Sequence, residues 1–256
     1  MIVELFGCPG AGKTTFARAL AASLRERGHT VDLFLSHRPG ECSPNEIRSA
    51  SLLPAQQFAS TIGRLIRPFA EMITLARHPR TVSQDVGTAL TLIRILPPSS
   101  RFWSFRIAQY VSRLSRAWLQ APDGGHIVLF DQAFVQVVCS LALLCGEANE
   151  GLISDALDVI PKSDLLVLMR APPEILEARL LDRQRLESTL ERLLEFDLAT
   201  SLRSLDIVDC LSGLLLKRGT KIVTAASLDQ GSLDEAVEQV ETQIMARFGR
   251  EQRGAA

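Results

Sequence analysis

Eight consecutive residues near the start of the chain, Gly7-Cys8-Pro9-Gly10-Ala11-Gly12-Lys13-Thr14, have the types and spacing needed to hold a polyphosphate. They fit the pattern G-x-x-x-x-G-K-[ST] at every fixed position. Glycines let the backbone fold tightly, so that successive N–H groups converge on one anion. A lysine at position 13 is placed to reach the β- and γ-phosphates, and the Thr14 hydroxyl to hold Mg²⁺. The predicted nucleotide-binding residues are therefore Gly7, Cys8, Pro9, Gly10, Ala11, Gly12, Lys13, Thr14 and Thr15. The competing fingerprint G-x-G-x-x-G would require glycine at Thr15 and would not require Lys13, so a dinucleotide reading is set aside.

Further along, four apolar residues, Ile127 to Phe130, are followed by Asp131. An acid at the carboxyl end of a strand beside a phosphate loop can orient Mg²⁺ through water. Thr14 and Asp131 are thus the predicted metal residues. Gln132 and Gln136, read as one helical turn apart, are candidates to face an acceptor. Arg179 and Arg183 are four residues apart and share a helix face, where two cations repel each other unless an anion lies between them. With Lys13 and Asp131 they form the predicted catalytic set. Arg38, after the second strand, is read as gripping the phosphate of an acceptor.

Positioning these groups requires a strand, a loop and a helix in that order. Ile2 to Phe6 reads as a strand and Thr14 to Arg27 as a helix, with Phe16, Leu20 and Leu24 on one face and Gly28 as its stop. Further strands are expected near 31–35, 127–130, 164–169 and 220–225, alternating with helices. That alternation makes an α/β fold with a doubly wound five-stranded parallel sheet, helices on both faces and a helical insertion. Leu233, Val237, Val240 and Ile244 define a closing amphipathic helix, and residues 250–256 are expected to fray.

The 256 residues suit one α/β domain with an insertion, and 22% charged residues is ordinary for a globular protein. Five cysteines form no C-x-x-C pair and no metal-ligand cluster with the four histidines, which points to free thiols in a reducing cytoplasm. The chain opens directly into strand and loop, so no leader is expected, and its most apolar window, Ile127 to Cys145, contains Asp131, Gln132 and Gln136, against a membrane span. Charge is uneven. Residues 45–120 hold ten arginines, three acids and no lysine, a net +7 within a chain of −1 overall. Arginine without lysine suits bidentate gripping of phosphate or carboxylate.

With these residues in view, the chain resembles the P-loop nucleoside-monophosphate kinases, and the thymidylate-kinase branch in particular. The resemblance rests on the phosphate loop, on Pro39-Gly40 with Glu46 and Arg48 close behind, on Asp131, and on Asp182-Arg183 and Arg185-Leu186-Glu187 with Phe196 downstream. The chain departs from that branch with Arg38 in place of a glutamate, Glu41 in place of a second glycine, and Gln132-Ala133 after Asp131. The resemblance implies a P-loop fold with strand order 2-3-1-4-5, a single domain over 1–256, an acceptor-binding insertion at 45–120 and a lid-like segment at 171–195. It implies ATP as donor, Mg²⁺ as cofactor and lid arginines over the transferring phosphate, and Arg48, with Arg38 as read above, is expected on a small anionic acceptor such as a nucleoside monophosphate.

Three other partners compete for the arginine-rich region. Ile62, Leu65, Ile66, Phe69, Met72 and Ile73 fall at helical spacing, which reads as a core face or a membrane-surface helix. Nucleic acid would use the aromatics beside the arginines (Phe102, Trp103, Phe105, Tyr110, Trp118), for which core packing or stacking on one small acceptor is the preferred reading. An exposed apolar face there would favour a homodimer. The alternative function is a regulatory or assembly NTPase that docks on a partner or membrane through the same region.

Overall fold

In the computed structural model, which describes residues 1–36, 79–119, 121, 126–186 and 198–254, five strands form one parallel sheet in the order β2-β3-β1-β4-β5. They are β1 (Ile2–Gly7), β2 (Val31–Phe34), β3 (Ile127–Phe130), β4 (Leu165–Arg170) and β5 (Ile222–Ala226). This is the expected fold class and order. The central strands are covered on both faces, so they read as unbroken apolar runs instead of alternating: every residue of β3 is buried, as are the first five of β4. One residue breaks the pattern. Glu4, opposite Phe130 on β3 and Leu166 on β4, is fully buried in the middle of the sheet.

Eight helices are present among the described residues: α1 (Lys13–Glu26), α2 (Pro79–Ile95), α3 (Arg101–Leu119), α4 (Phe134–Cys145), α5 (Glu150–Val159), α6 (Pro173–Leu186), α7 (Leu198–Lys217) and α8 (Gln230–Gly254). α1 packs on α8, joined by a Ser23–Glu241 hydrogen bond of 3.0 Å and an Arg27–Glu241 ion pair of 2.8 Å. α4 packs on α7, on α5 and on α3, and α3 pairs with α2 across the Pro97-Pro98 break. Trp118 of α3 stacks on Phe130 at 5.3 Å between centroids and meets Phe134 edge-on. Core packing, not ring recognition, is thus the work of Trp118.

Two expectations need correction, and one helix was not anticipated. α4 begins at Phe134, so Gln132 precedes the helix and is not one turn from Gln136 on it. α8 continues to Gly254, past the point where fraying was expected, because the buried stripe of Val240, Ile244 and Phe248 carries the apolar face almost to its end. α7 is a full helix of 20 residues that periodicity did not single out. The membrane-type stripe at 62–73 lies outside the described residues, as do Arg38, Glu41, Cys42, Glu46 and Arg48. Among the described residues no helix is long and apolar enough to cross a membrane.

Candidate active site

The loop between β1 and α1 is held open by three left-handed glycines, and two of them admit nothing larger. At Gly7 (φ 146°) an added Cβ would lie 2.3 Å from the Met169 carbonyl oxygen of β4. At Gly12 (φ 88°), the N-cap of α1, it would lie 3.1 Å from the Ser227 Cβ. Neither the backbone angle nor the space suits a side chain. A Gly7→Ala change is therefore expected to weaken Mg·ATP binding at least tenfold, about 1.4 kcal/mol, and to lower the melting temperature by several degrees. Calorimetric titration and a thermal melt would check both.

The Lys13 ammonium reaches back across this loop and donates to the Gly7 carbonyl at 2.7 Å and to that of Cys8 at 2.9 Å. Its side chain is buried at 5% exposure, so the charge is concentrated where the loop amides converge. Cys8 is also buried, and burial pushes its thiol up from the usual value. Cys139 on α4 is driven further, to about 12, mainly by burial. Both are inert core thiols.

Thr14 and Asp131 meet. The Thr14 hydroxyl donates to Asp131 Oδ2 at 2.7 Å, and Asp131 is completely buried at the carboxyl end of β3. Asp131 also accepts from the Ser36 amide at 2.7 Å and from its hydroxyl at 3.1 Å. Ser36, the last described residue after β2, escaped the sequence reading. It is simply the first polar residue past an apolar strand. Hydroxyl and carboxylate oxygens of this kind suit Mg²⁺, which keeps much of its shell for phosphate and water. Among the described residues there is no cluster of three or more His, Cys, Asp or Glu that would cage a metal by itself.

Arg179 on α6 comes to the loop, but its guanidinium is spent on carbonyls: Gly10 at 3.0 Å, Ser227 at 2.6 Å and Leu228 at 3.0 Å. It clamps the turn after β5 against the phosphate loop. Between loop, clamp and turn lies a cavity of about 450 Å³ lined by Gly12 to Thr15, Arg179 and residues 227–230, with Leu233 behind. A second cavity of about 320 Å³ lies beyond Leu228, behind Cys8, with apolar walls that include Met169, Pro172 and Val208. Arg183 follows Arg179 by one turn of α6, and Arg185 pairs with the exposed Asp182 at 3.2 Å.

The two glutamines sit in different surroundings. Gln136 is buried, and its amide oxygen accepts from the Gly7 N–H at 3.1 Å, so it supports the loop from below. The Gln132 carbonyl accepts from the Tyr110 hydroxyl of α3 at 2.9 Å, and its side chain is half-buried. This bond fixes one face of α3 over the end of β3. Arg106 and Arg113, one turn to either side of Tyr110, share that face. Arg106 rests over the rings of Phe102 and Trp103 at 5.7 and 5.2 Å.

No protein-family model matches the chain, and no curated protein matches its sequence. Among solved structures it is similar to a deoxyadenosine kinase from M. mycoides, described with the products dCMP and a flexible dCDP bound. The identity is 11% and the TM-score 0.48, over 96% of this chain and 100% of that one. The chemistry of the site rests on its own geometry.

Beneath the loop, Glu4 adds an electrostatic feature that no motif announced. Burial pushes its carboxyl up to about 8, against a smaller opposing effect of the Val135 and Gln136 amides, which donate to it. Tyr110 is raised as well, first by burial and then by Asp131 and Glu4. For Glu4 the folded state holds a proton that the unfolded chain releases near 4.5. Stability is therefore fully present below that pH and declines as pH rises towards 8, by at most about 1.4 kcal/mol per pH unit. In urea melts at pH 5.5, 7.0 and 8.5, Glu4→Gln is expected to flatten this decline.

Proposed function

We propose that the chain is an ATP-dependent phosphotransferase that moves the γ-phosphoryl group of Mg·ATP to a small anionic acceptor such as a nucleoside monophosphate. The observation that carries this reading is the convergence of Lys13, Thr14 and Asp131 at the carboxyl ends of β1 and β3, with a cavity beside them for the nucleotide.

In this reading the loop amides and Lys13 hold the β- and γ-phosphates. Thr14 and Asp131 hold the metal, and Mg²⁺ would neutralise phosphate charge when bound. The catalytic contribution is positioning and charge stabilisation by preorganised groups, in a site where the lysine and the aspartate are already buried. Arg179, occupied by carbonyls, shapes the nucleotide cavity, and Arg183 is the lid arginine left for the transferring phosphate. An acceptor that is itself a phosphate monoester needs no general base, because its oxygen is already ionised.

The acceptor side is assigned to residues 45–120, which include Arg48, with Arg38 leading into it, and the lid to residues 171–195, all within one domain. The Tyr110–Gln132 bond supports this, because it ties α3, an arginine-bearing helix of that region, to the residue that follows Asp131. Gln136 is withdrawn from the acceptor set, and Gln132 keeps a place at its edge.

The test is an ATP-consumption screen with Mg·ATP against nucleoside monophosphates, nucleosides and sugar phosphates, with products identified by mass spectrometry. Consumption that rises with one acceptor, together with its phosphorylated product, is the expected result. ATP binding and slow hydrolysis indifferent to every acceptor would replace this reading with a regulatory NTPase.

A further inference from the structure

The first turn of α4 lacks a cap of its own. Its N-cap position is Ala133, which has no side-chain acceptor, so the amides of Val135 and Gln136 would be left unpaired in the core. Glu4, on β1, supplies an acceptor: its Oε1 takes the Val135 N–H at 2.6 Å, and the adjoining Gln136 amide acts on the same carboxyl to lower its pKa. Gln136, next to Val135 in this first turn, accepts the Gly7 N–H with its side-chain oxygen at 3.1 Å. The chain of contacts leaves β1 at Glu4 and returns to it at Gly7, where the phosphate loop begins.

We infer that Glu4 is a positioning residue for the phosphate loop, acting through the first turn of α4 and the Gln136 side chain. This goes beyond the phosphotransferase reading, because it concerns how the loop is held and not what it transfers. Two further features support it. A carboxyl group fully buried in a central strand is costly there, and its second oxygen, Oε2, has no hydrogen-bond partner among the described residues. Helix capping alone would be met more cheaply by serine or aspartate at position 133. The acid at position 4 differs from such a cap in tying the helix terminus to the strand that carries the loop. Moreover, Gly7 lies close against β4, where an added Cβ would fall 2.3 Å from the Met169 carbonyl oxygen, so the Gln136 bond acts on a loop residue with no side chain of its own to anchor it.

The experiment compares wild type with Glu4→Gln, Glu4→Leu, Glu4→Asp and Gln136→Leu. The first readout is the ¹H–¹⁵N shift of the Gly7 amide in the nucleotide-free protein. The second is calorimetric affinity for Mg·AMPPNP. Gln136→Leu and Glu4→Leu are expected to move the Gly7 amide and to weaken Mg·AMPPNP by roughly tenfold each, the loss of one buried hydrogen bond. Their double variant should be no weaker than the poorer single, because both break the same chain. Glu4→Gln, whose amide oxygen still accepts from α4, should keep the Gly7 shift and stay within about twofold of wild-type affinity. If Glu4→Leu does not fold, Glu4→Asp, one methylene too short to reach Val135, and Gln136→Leu decide the matter by the same readouts. An unmoved Gly7 amide and unchanged affinity in the folded variants would overturn the inference and leave Glu4 a core residue only. Should wild type fail to bind Mg·AMPPNP, the phosphotransferase reading falls, while the Gly7 shift still decides the role of Glu4.

Discussion

Replacing Lys13 with alanine is expected to lower acceptor-dependent ATP consumption by roughly 10²–10³-fold, the scale seen when a preorganised charge-stabilising donor is removed. The ammonium is nearly completely buried and already sits at the mouth of the loop, between two carbonyls, so little reorganisation is needed when phosphates arrive. The fold should survive. Lys13 touches loop carbonyls, while α1 is fixed to the sheet by Phe16, Leu20 and Leu24, all fully buried. A single-turnover assay beside a circular-dichroism melt separates the two effects. Unchanged turnover in a folded variant would remove Lys13, and with it the whole site assignment.

The second large effect is expected at Asp131. Alanine there deletes the acceptor of the Thr14 hydroxyl and of both Ser36 donors, leaving three polar groups around a void at the end of β3. Turnover should fall by about 10²-fold and the Mg²⁺ concentration for half-maximal rate should rise about tenfold, since both charge and orientation are lost. Asp131→Asn separates these contributions. Its side-chain oxygen can still accept from Thr14, so the hydroxyl stays aimed, but the negative charge is gone. It should show the raised Mg²⁺ requirement with a smaller loss of maximal rate. A Mg²⁺ profile identical to wild type in Asp131→Ala would exclude this carboxylate from the metal site.

The phosphate loop and Asp131 were legible because their chemistry is local: strand, glycines, lysine and hydroxyl follow one another, and an acid ends an apolar run. The strand order came from family resemblance and was met by the sheet. What escaped was non-local. Arg179 was read as a phosphate ligand, yet it binds three carbonyls, a group that every residue carries, and sequence does not say which of them will converge on one guanidinium. Gln132 was misplaced because the start of α4 was set too early, and Gln136 because its partner, the Gly7 amide, lies 129 positions away on another element. Glu4 was visible as an acid in an apolar strand. Its meaning lay in Ala133, 129 positions away, which leaves a helix without a cap.

The Arg179 clamp has a consequence for how the protein is made. The phosphate loop is synthesised well before one wall of its cavity, the turn at 227–230, which is fastened by an arginine 169 positions after Gly10. A nascent chain stalled before residue 222 therefore carries the complete loop motif and lacks both β5 and the wall beside it. On the phosphotransferase reading, nucleotide capture becomes a signal that synthesis has passed β5, so an immobilised ATP analogue would retain chains that extend beyond that strand and release those that stop short of it.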